Sequence, residues 1–306
     1  MITVDEIKNC YRGIIAMNEP LQKYTSFRIG GPADLFLEPV DRDDLVQIVN
    51  YLRNNNVPVT IVGNGTNLLI SDQGVRGAVI NLERGLSSLY MDGDFVITES
   101  SVRIPKFVDF CILQRRKGAE MLAGIPGTMG GAIVMNAGAY GGETSDYLLD
   151  VDVLRGQEVV RISKNDAGFS YRHSAFGGEI VLGARFNFPP GERGELMKRR
   201  RELLVKRNQS QPLNLPNSGS VFKNPQGNFA AKLIEEAGLK GMAIGQARIS
   251  EKHANFIVNA GGALAKDVLE LILLAKKTVF EQTKISLEPE VKLLGFSDEI
   301  MKQVHA

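Results

Sequence analysis

Tryptophan is absent from this 306-residue chain, which also holds only two cysteines and three histidines. Cys10 and Cys111 stand alone, without disulfide-framework or metal-ligand spacing, so a reduced, cytoplasmic setting is expected. His173, His253 and His305 are equally scattered, and no metal site is expected. A formal net charge of +1 gives no global argument for nucleic acid or a membrane surface. The apolar runs fall far short of the roughly 20 residues a membrane-spanning helix needs. MITVD at positions 1–5 does not begin like a secretory signal, so no membrane insertion is expected. The longest run of like charge, Lys198-Arg199-Arg200-Arg201, is flanked by Leu196, Met197, Leu203, Leu204 and Val205. That pattern reads as the solvated face of a packed helix rather than an RNA-binding patch.

Glycine is plentiful, at 32 residues, and the excess is clustered. Residues 58–62 (PVTIV) are short, apolar and β-branched and predict a buried strand, with VGNGTNLLI beginning at its end. Glycine directly after a strand lets the chain turn tightly and come close to a ligand, and successive N–H groups there can cradle an anion. No Gly-Lys-Ser follows, and the spacing is not the GxGxxG fingerprint. A second cluster, GIPGTMGGAIVMNAGAYGGE at 124–143, reads as too glycine-rich for an ordinary helix or strand. A third, YTSFRIGGPA at 24–33, adds the positive charge of Arg28. Glycine clusters far apart in sequence can converge on one extended ligand, and together they point to a large cofactor such as a dinucleotide.

Helical spacing of Leu45, Ile48, Val49 and Leu52 predicts a helix over 41–56, and further helices are expected at 104–117, 192–208, 228–237 and 265–282. Strands are expected at 77–82, 95–98, 147–154, 179–188, 243–249, 255–258 and 285–294. Cys111 falls on the apolar side of its helix and reads as a buried small hydrophobe. Polar, proline-bearing QSQPLNLPNSG at 209–219 marks a domain boundary.

Six segments in order, YTSFRIGGPA, VGNGTNLLI, GIPGTMGGAIVMNAGAYGGE, YRHSAF, SGSVFKNP and LEPEVK, resemble the UDP-N-acetylenolpyruvoylglucosamine reductase (UDP-N-acetylmuramate dehydrogenase) family from about residue 20 to residue 295. The resemblance implies an α+β protein with the FAD-binding fold of vanillyl-alcohol oxidase. Two flavin-holding portions at 1–80 and 81–207 and a substrate domain at 208–291 are expected, with the tail 292–306 returning to the first. It implies non-covalent FAD, NADPH as reductant, and conversion of UDP-N-acetylglucosamine enolpyruvate to UDP-N-acetylmuramate in peptidoglycan precursor synthesis. A monomer acting on a UDP-sugar is expected. FAD would be held by Arg28, by Gly63, Asn64, Gly65, Thr66, Asn67 and Leu68, and by Gly124, Ile125, Pro126, Gly127, Thr128, Gly131, Ala132, Gly138 and Ala139.

The family's chemistry builds negative charge on the substrate carboxylate while a proton arrives at the neighbouring carbon, so a cation, a proton donor and a further acid are required. By resemblance Arg172 is the cation, and its planar fork suits a carboxylate. Ser220 is the proton donor, with Lys223 a candidate to tune it. Glu288 and Glu290 alternate onto one strand face, and only the family motif selects Glu290 as the acid. Asn224 matches a uridine-contacting position, while Tyr140, Tyr171 and Lys223 are further substrate candidates. No inserted tyrosine-bearing loop is evident, so the chain resembles the shorter branch of the family. The competing readings are an FAD oxidase of small alcohols or sugars and a non-catalytic nucleotide-sugar binding protein. The glycine clusters hold no histidine or cysteine to tether a flavin, which counts against the oxidase.

Overall fold

The computed structural model describes residues 3–305. They form two compact units, one built from residues up to Ala16, Phe36–Gly63 and Gly77–Arg207, the other from Met17–Leu35, Asn64–Arg76 and Asn208 onward.

In the first unit the helix Arg42–Asn54 begins at Asp41, whose carboxylate accepts the Asp44 N–H at 2.8 Å, as an N-cap should. Leu45, Ile48, Val49 and Leu52 are fully buried, the stripe that the spacing predicts. The strand Val59–Val62 follows and pairs in parallel with the strand Val75–Asn81, Val59 opposite Ala78 and Val62 opposite Asn81. It is less buried than its composition predicts: only Val62 is fully inside, because the strand lies at one edge of its sheet.

The bulk of this unit is a five-stranded antiparallel sheet in the order Glu158–Ser163, Leu148–Arg155, Ile180–Phe186, Phe95–Glu99, Leu89–Asp92. Val151 and Val153 of the Leu148–Arg155 strand are buried in a core shared with the helix Ile104–Leu113, whose Phe107 ring lies 5.1 Å from that of Phe186. That helix stops short of the expected residue 117, since Arg115 turns into the left-handed region at φ 55°. Cys111 is buried, and its burial pushes the thiol pKa up. The basic helix Arg193–Ser210 buries Leu196 and Leu203 and sends Arg200 to Asp109 at 2.8 Å, a packed helix with a solvated face.

In the second unit the helix Ala265–Thr283 buries Val268, Leu271, Ile272, Ala275 and Val279. Its start is capped from far along the chain: Asp72 accepts the N–H groups of Ala265 and Lys266 at 2.8 and 3.1 Å. The segment expected as one strand at 243–249 is a hairpin of Ala243–Ile244 and Ala247–Ile249, turned at Gly245 with φ 54°. Ile257–Asn259 completes that sheet. Of the strand expected at 285–294, only Lys292–Leu294 joins a ladder, running parallel to Leu68–Ile70. Pro289 has no N–H to give and makes only a single bridge with Phe222. Among the described residues no helix is long and apolar enough to cross a membrane.

Candidate active site

Within the first unit two of the glycine clusters meet. A Cβ on Gly63 would stand 2.7 Å from the Thr128 hydroxyl oxygen, so no side chain fits there. Asn81 donates to the Gly63 carbonyl at 3.1 Å, and Ile104 N–H to the Gly127 carbonyl at 3.0 Å, fixing both backbones.

The 124–143 cluster corrects one expectation, because it contains a helix, Met129–Val134. Thr128 caps it by accepting the Gly131 N–H at 3.4 Å, which places Gly131 and Ala132 inside the helix. Gly130 is packed, not free: its Cβ would meet that of Ser100 at 2.8 Å. Gly130, Gly138 and Gly142 serve close packing, which the composition alone did not distinguish from an irregular loop. Gly124 faces Arg207, whose burial lowers its pKa below the usual arginine value, and Ile125 packs on the core beside Pro126. Tyr140 donates its hydroxyl to the Leu203 carbonyl at 3.1 Å, and Gly138–Ala139 pair with Gly142–Glu143 in a tiny hairpin.

Tyr171 and Arg172 occupy the tip of a tight turn that Ser170 and His173 close by mutual backbone hydrogen bonds of 3.1 Å. Arg172 sits in the left-handed region at φ 55°, lays its guanidinium 5.0 Å from the Tyr171 ring centroid, and donates to the Gly138 carbonyl at 3.0 Å. Two residues that the sequence does not single out hold this turn. Asn136, fully buried, donates to the Ser170 carbonyl at 3.1 Å, and Ser174 donates to the Val134 carbonyl at 2.8 Å. The only signal pointing to Asn136 was an asparagine within a glycine-rich segment, since asparagine tolerates a positive φ, here 41°.

Within the second unit Gly65, at φ 59°, lies against the Tyr24 carbonyl so closely that a Cβ would collide with it. Asn64, Thr66 and Asn67 continue the segment into Leu68, the first residue of its strand, and Arg28 is exposed at a turn. Asn67 is engaged twice, donating from its amide to the Glu290 carbonyl at 3.1 Å and accepting the Lys292 N–H at 2.9 Å.

Ser220 and Glu290 lie on paired backbone. Glu290 N–H donates to the Val221 carbonyl at 2.7 Å, and Lys223 N–H to the Glu288 carbonyl at 2.9 Å. Ahead of Ser220 the chain bends at Gly219, at φ 80°, where Asn217 accepts the Gly219 N–H at 2.9 Å. The structure separates the two carboxylates that alternation left equivalent. Glu288 is exposed and takes the Lys223 ammonium at 2.6 Å, whereas Glu290 is half-buried. Asn224 has a structural duty as well, its side-chain oxygen accepting the Ala230 N–H at 3.1 Å where the helix Ala230–Glu236 begins. Among the described residues no group of three His, Cys, Asp or Glu side chains is placed to hold a metal ion.

A family model described as an FAD binding domain matches residues 33–163, and one described as the UDP-N-acetylenolpyruvoylglucosamine reductase C-terminal domain matches residues 211–294. The UDP-N-acetylenolpyruvoylglucosamine reductase of Caldanaerobacter subterraneus subsp. tengcongensis is 43% identical over 298 residues, 96% of this chain and 98% of that protein. That of Chloroherpeton thalassium is 42% identical over 311 residues, covering 99% and 100%. Among solved structures, UDP-N-acetylenolpyruvylglucosamine reductase from Thermus caldophilus superposes with a TM-score of 0.79 at 35% identity, covering 92% of this chain and 99% of that one. With near-complete mutual coverage at this identity, the chain belongs to the UDP-N-acetylenolpyruvoylglucosamine reductase family.

Proposed function

We propose that this protein reduces UDP-N-acetylglucosamine enolpyruvate to UDP-N-acetylmuramate in peptidoglycan precursor synthesis, with FAD as cofactor and NADPH as reductant. The observation that carries this reading is 43% identity to a reductase of that name across 96% of the chain. We further read the protein as a cytoplasmic monomer, supported by the isolated thiols of Cys10 and Cys111 for the compartment and tested by light scattering for the size. Cofactor binding is assigned to residues 1–207, substrate binding to 208–291, and the tail 292–306 to the support of Leu68–Ile70, whose strand it pairs.

The residues present fit FAD. Gly63 and Gly65 let the chain turn tightly where Thr128 and Tyr24 leave no room for a side chain, the kind of turn whose N–H groups can hold a pyrophosphate. The segments 63–68 and 124–128, with Arg28, Gly131, Ala132, Gly138 and Ala139, are assigned to holding it. Bound, FAD supplies the hydride chemistry that links NADPH to the enolpyruvyl terminal carbon.

The chain supplies the rest. Arg172 pairs with the substrate carboxylate, where negative charge grows as the double bond takes up hydride. Ser220 gives its hydroxyl proton to the carbon beside that carboxylate, so hydride and proton together saturate the double bond. Glu290 assists as an acid at the developing enolate, while Tyr140, Tyr171, Lys223 and Asn224 bind substrate. Anaerobic stopped-flow mixing tests this. NADPH should bleach the flavin, and UDP-N-acetylglucosamine enolpyruvate should restore its colour stoichiometrically with product. A protein reoxidised by oxygen and small alcohols, but not by this substrate, would overturn the reading.

A further inference from the structure

The turn that presents Arg172 is suspended from the end of the Met129–Val134 helix by Asn136, and the suspension is saturated. Each Asn136 amide proton has an acceptor, Glu143 at 2.8 Å and the Ser170 carbonyl at 3.1 Å, while the Asn136 oxygen accepts the Ser145 N–H at 3.1 Å. Glu143 also settles which way round the amide lies. An ionised carboxylate can only accept, so it draws the nitrogen toward itself, and the second N–H is then aimed at Ser170. Ser174 ties the far side of the same turn to Val134 at 2.8 Å, and Arg172 itself reaches Gly138 at 3.0 Å. Arg172 is a non-glycine residue at φ 55°, a conformation that persists only where its surroundings impose it.

We propose that Asn136, oriented by Glu143, is a positioning residue for Arg172: it holds the 170–173 turn so that the guanidinium meets the substrate carboxylate during the proton and hydride transfer. This rests on the reading of Arg172 as the carboxylate-binding cation. Asn136 does not touch substrate. Its effect passes through Ser170, two residues before Arg172, and a shift of about 1 Å in such a group costs on the order of 10²-fold in rate.

The experiment is a double-mutant cycle on the two half-reactions, with Asn136→Ala, Arg172→Ala and the pair. Asn136→Ala should leave flavin content and the NADPH-driven half-reaction within about twofold, and slow reoxidation by UDP-N-acetylglucosamine enolpyruvate by about 10- to 100-fold. In the Arg172→Ala background the same substitution should add almost nothing. Amide exchange at His173, whose N–H closes the turn, should quicken in Asn136→Ala independently of turnover. Glu143→Gln keeps an acceptor for the amide and should stay close to the parent. If Asn136→Ala fails to fold, Ser174→Ala removes the other tether and should show the same selective loss of reoxidation. Arg172→Ala without effect on reoxidation would overturn the reading of Arg172. A damaging Arg172→Ala combined with an unaffected or fully additive Asn136→Ala would overturn the positioning role alone.

Discussion

The Thr128 hydroxyl oxygen and the Cα of Gly63 face each other so closely that a Cβ at residue 63 would stand 2.7 Å from that oxygen. Two segments 65 positions apart therefore share one contact, which answers why residue 63 is glycine. Gly63→Ala should push these backbones apart and lower the FAD content of the purified protein, read from the ratio of flavin to protein absorbance. Thr128→Ala removes the opposing oxygen at the cost of a helix cap, about 1 kcal/mol. In that background Gly63→Ala should cause little further flavin loss. The same loss in both backgrounds would mean that the Thr128 contact is not the cause.

Asn224 separates stability from recognition. Its oxygen accepts the Ala230 N–H at 3.1 Å, so Asn224→Ala should destabilise the protein by about 1 kcal/mol in chemical denaturation. Asn224→Asp keeps the accepting oxygen and should hold its stability, while raising KM for the UDP-sugar if the amide contacts the nucleotide. Unchanged KM in the aspartate variant would leave Asn224 a capping residue alone.

The legible parts of the sequence were those with a long, uninterrupted period. The helices Arg42–Asn54 and Ala265–Thr283 bury the residues their spacing names, because one face of each meets a core. What failed did so through single residues. Gly245 broke one expected strand into a hairpin, Pro289 reduced another to three residues, and the glycines around Met129 hid a helix that Thr128 caps. At the site, the proposed chemistry-bearing side chains rest on motif resemblance. Asn136 and Ser174 were not legible, because their role is a hydrogen bond to a carbonyl some 34 to 40 positions away. No local pattern encodes such a bond.

His253 should make stability fall in mild acid. Burial lowers its imidazole below the ordinary 6.5, with Lys240 adding to the effect and Glu235 opposing it, and the ring packs 4.8 Å from that of Phe256. A folded-state value below the unfolded one means that the unfolded chain binds the proton more readily. The stability is therefore present above pH 6.5 and is lost as pH drops through that value toward the folded pKa. Thermal melting between pH 5 and 8 should show the parent losing more on acidification than His253→Leu. Parallel profiles would assign the acid sensitivity to other groups.

Ser220 carries the sharpest prediction, because its proposed role touches only one half-reaction. Its position is set by the backbone. Gly219 turns the chain at φ 80°, and immediately after Ser220 the Val221 N–H and carbonyl pair with Asn255 at 2.9 Å and Glu290 at 2.7 Å. The Lys223 ammonium, a candidate to tune Ser220, is engaged by Glu288 at 2.6 Å. Ser220→Ala should leave NADPH reduction of the flavin nearly intact, since no substrate carbon is protonated there. Flavin reoxidation by UDP-N-acetylglucosamine enolpyruvate should slow by about 10²- to 10⁴-fold, the usual scale for a positioned acid. Ser220→Cys, with the more acidic thiol, should recover more activity than alanine. A serine with a purely structural role would instead lower both half-reactions together with stability or flavin content. An alanine variant that reoxidises at the parental rate would move the proton donor to Glu290, Lys223 or a bound water.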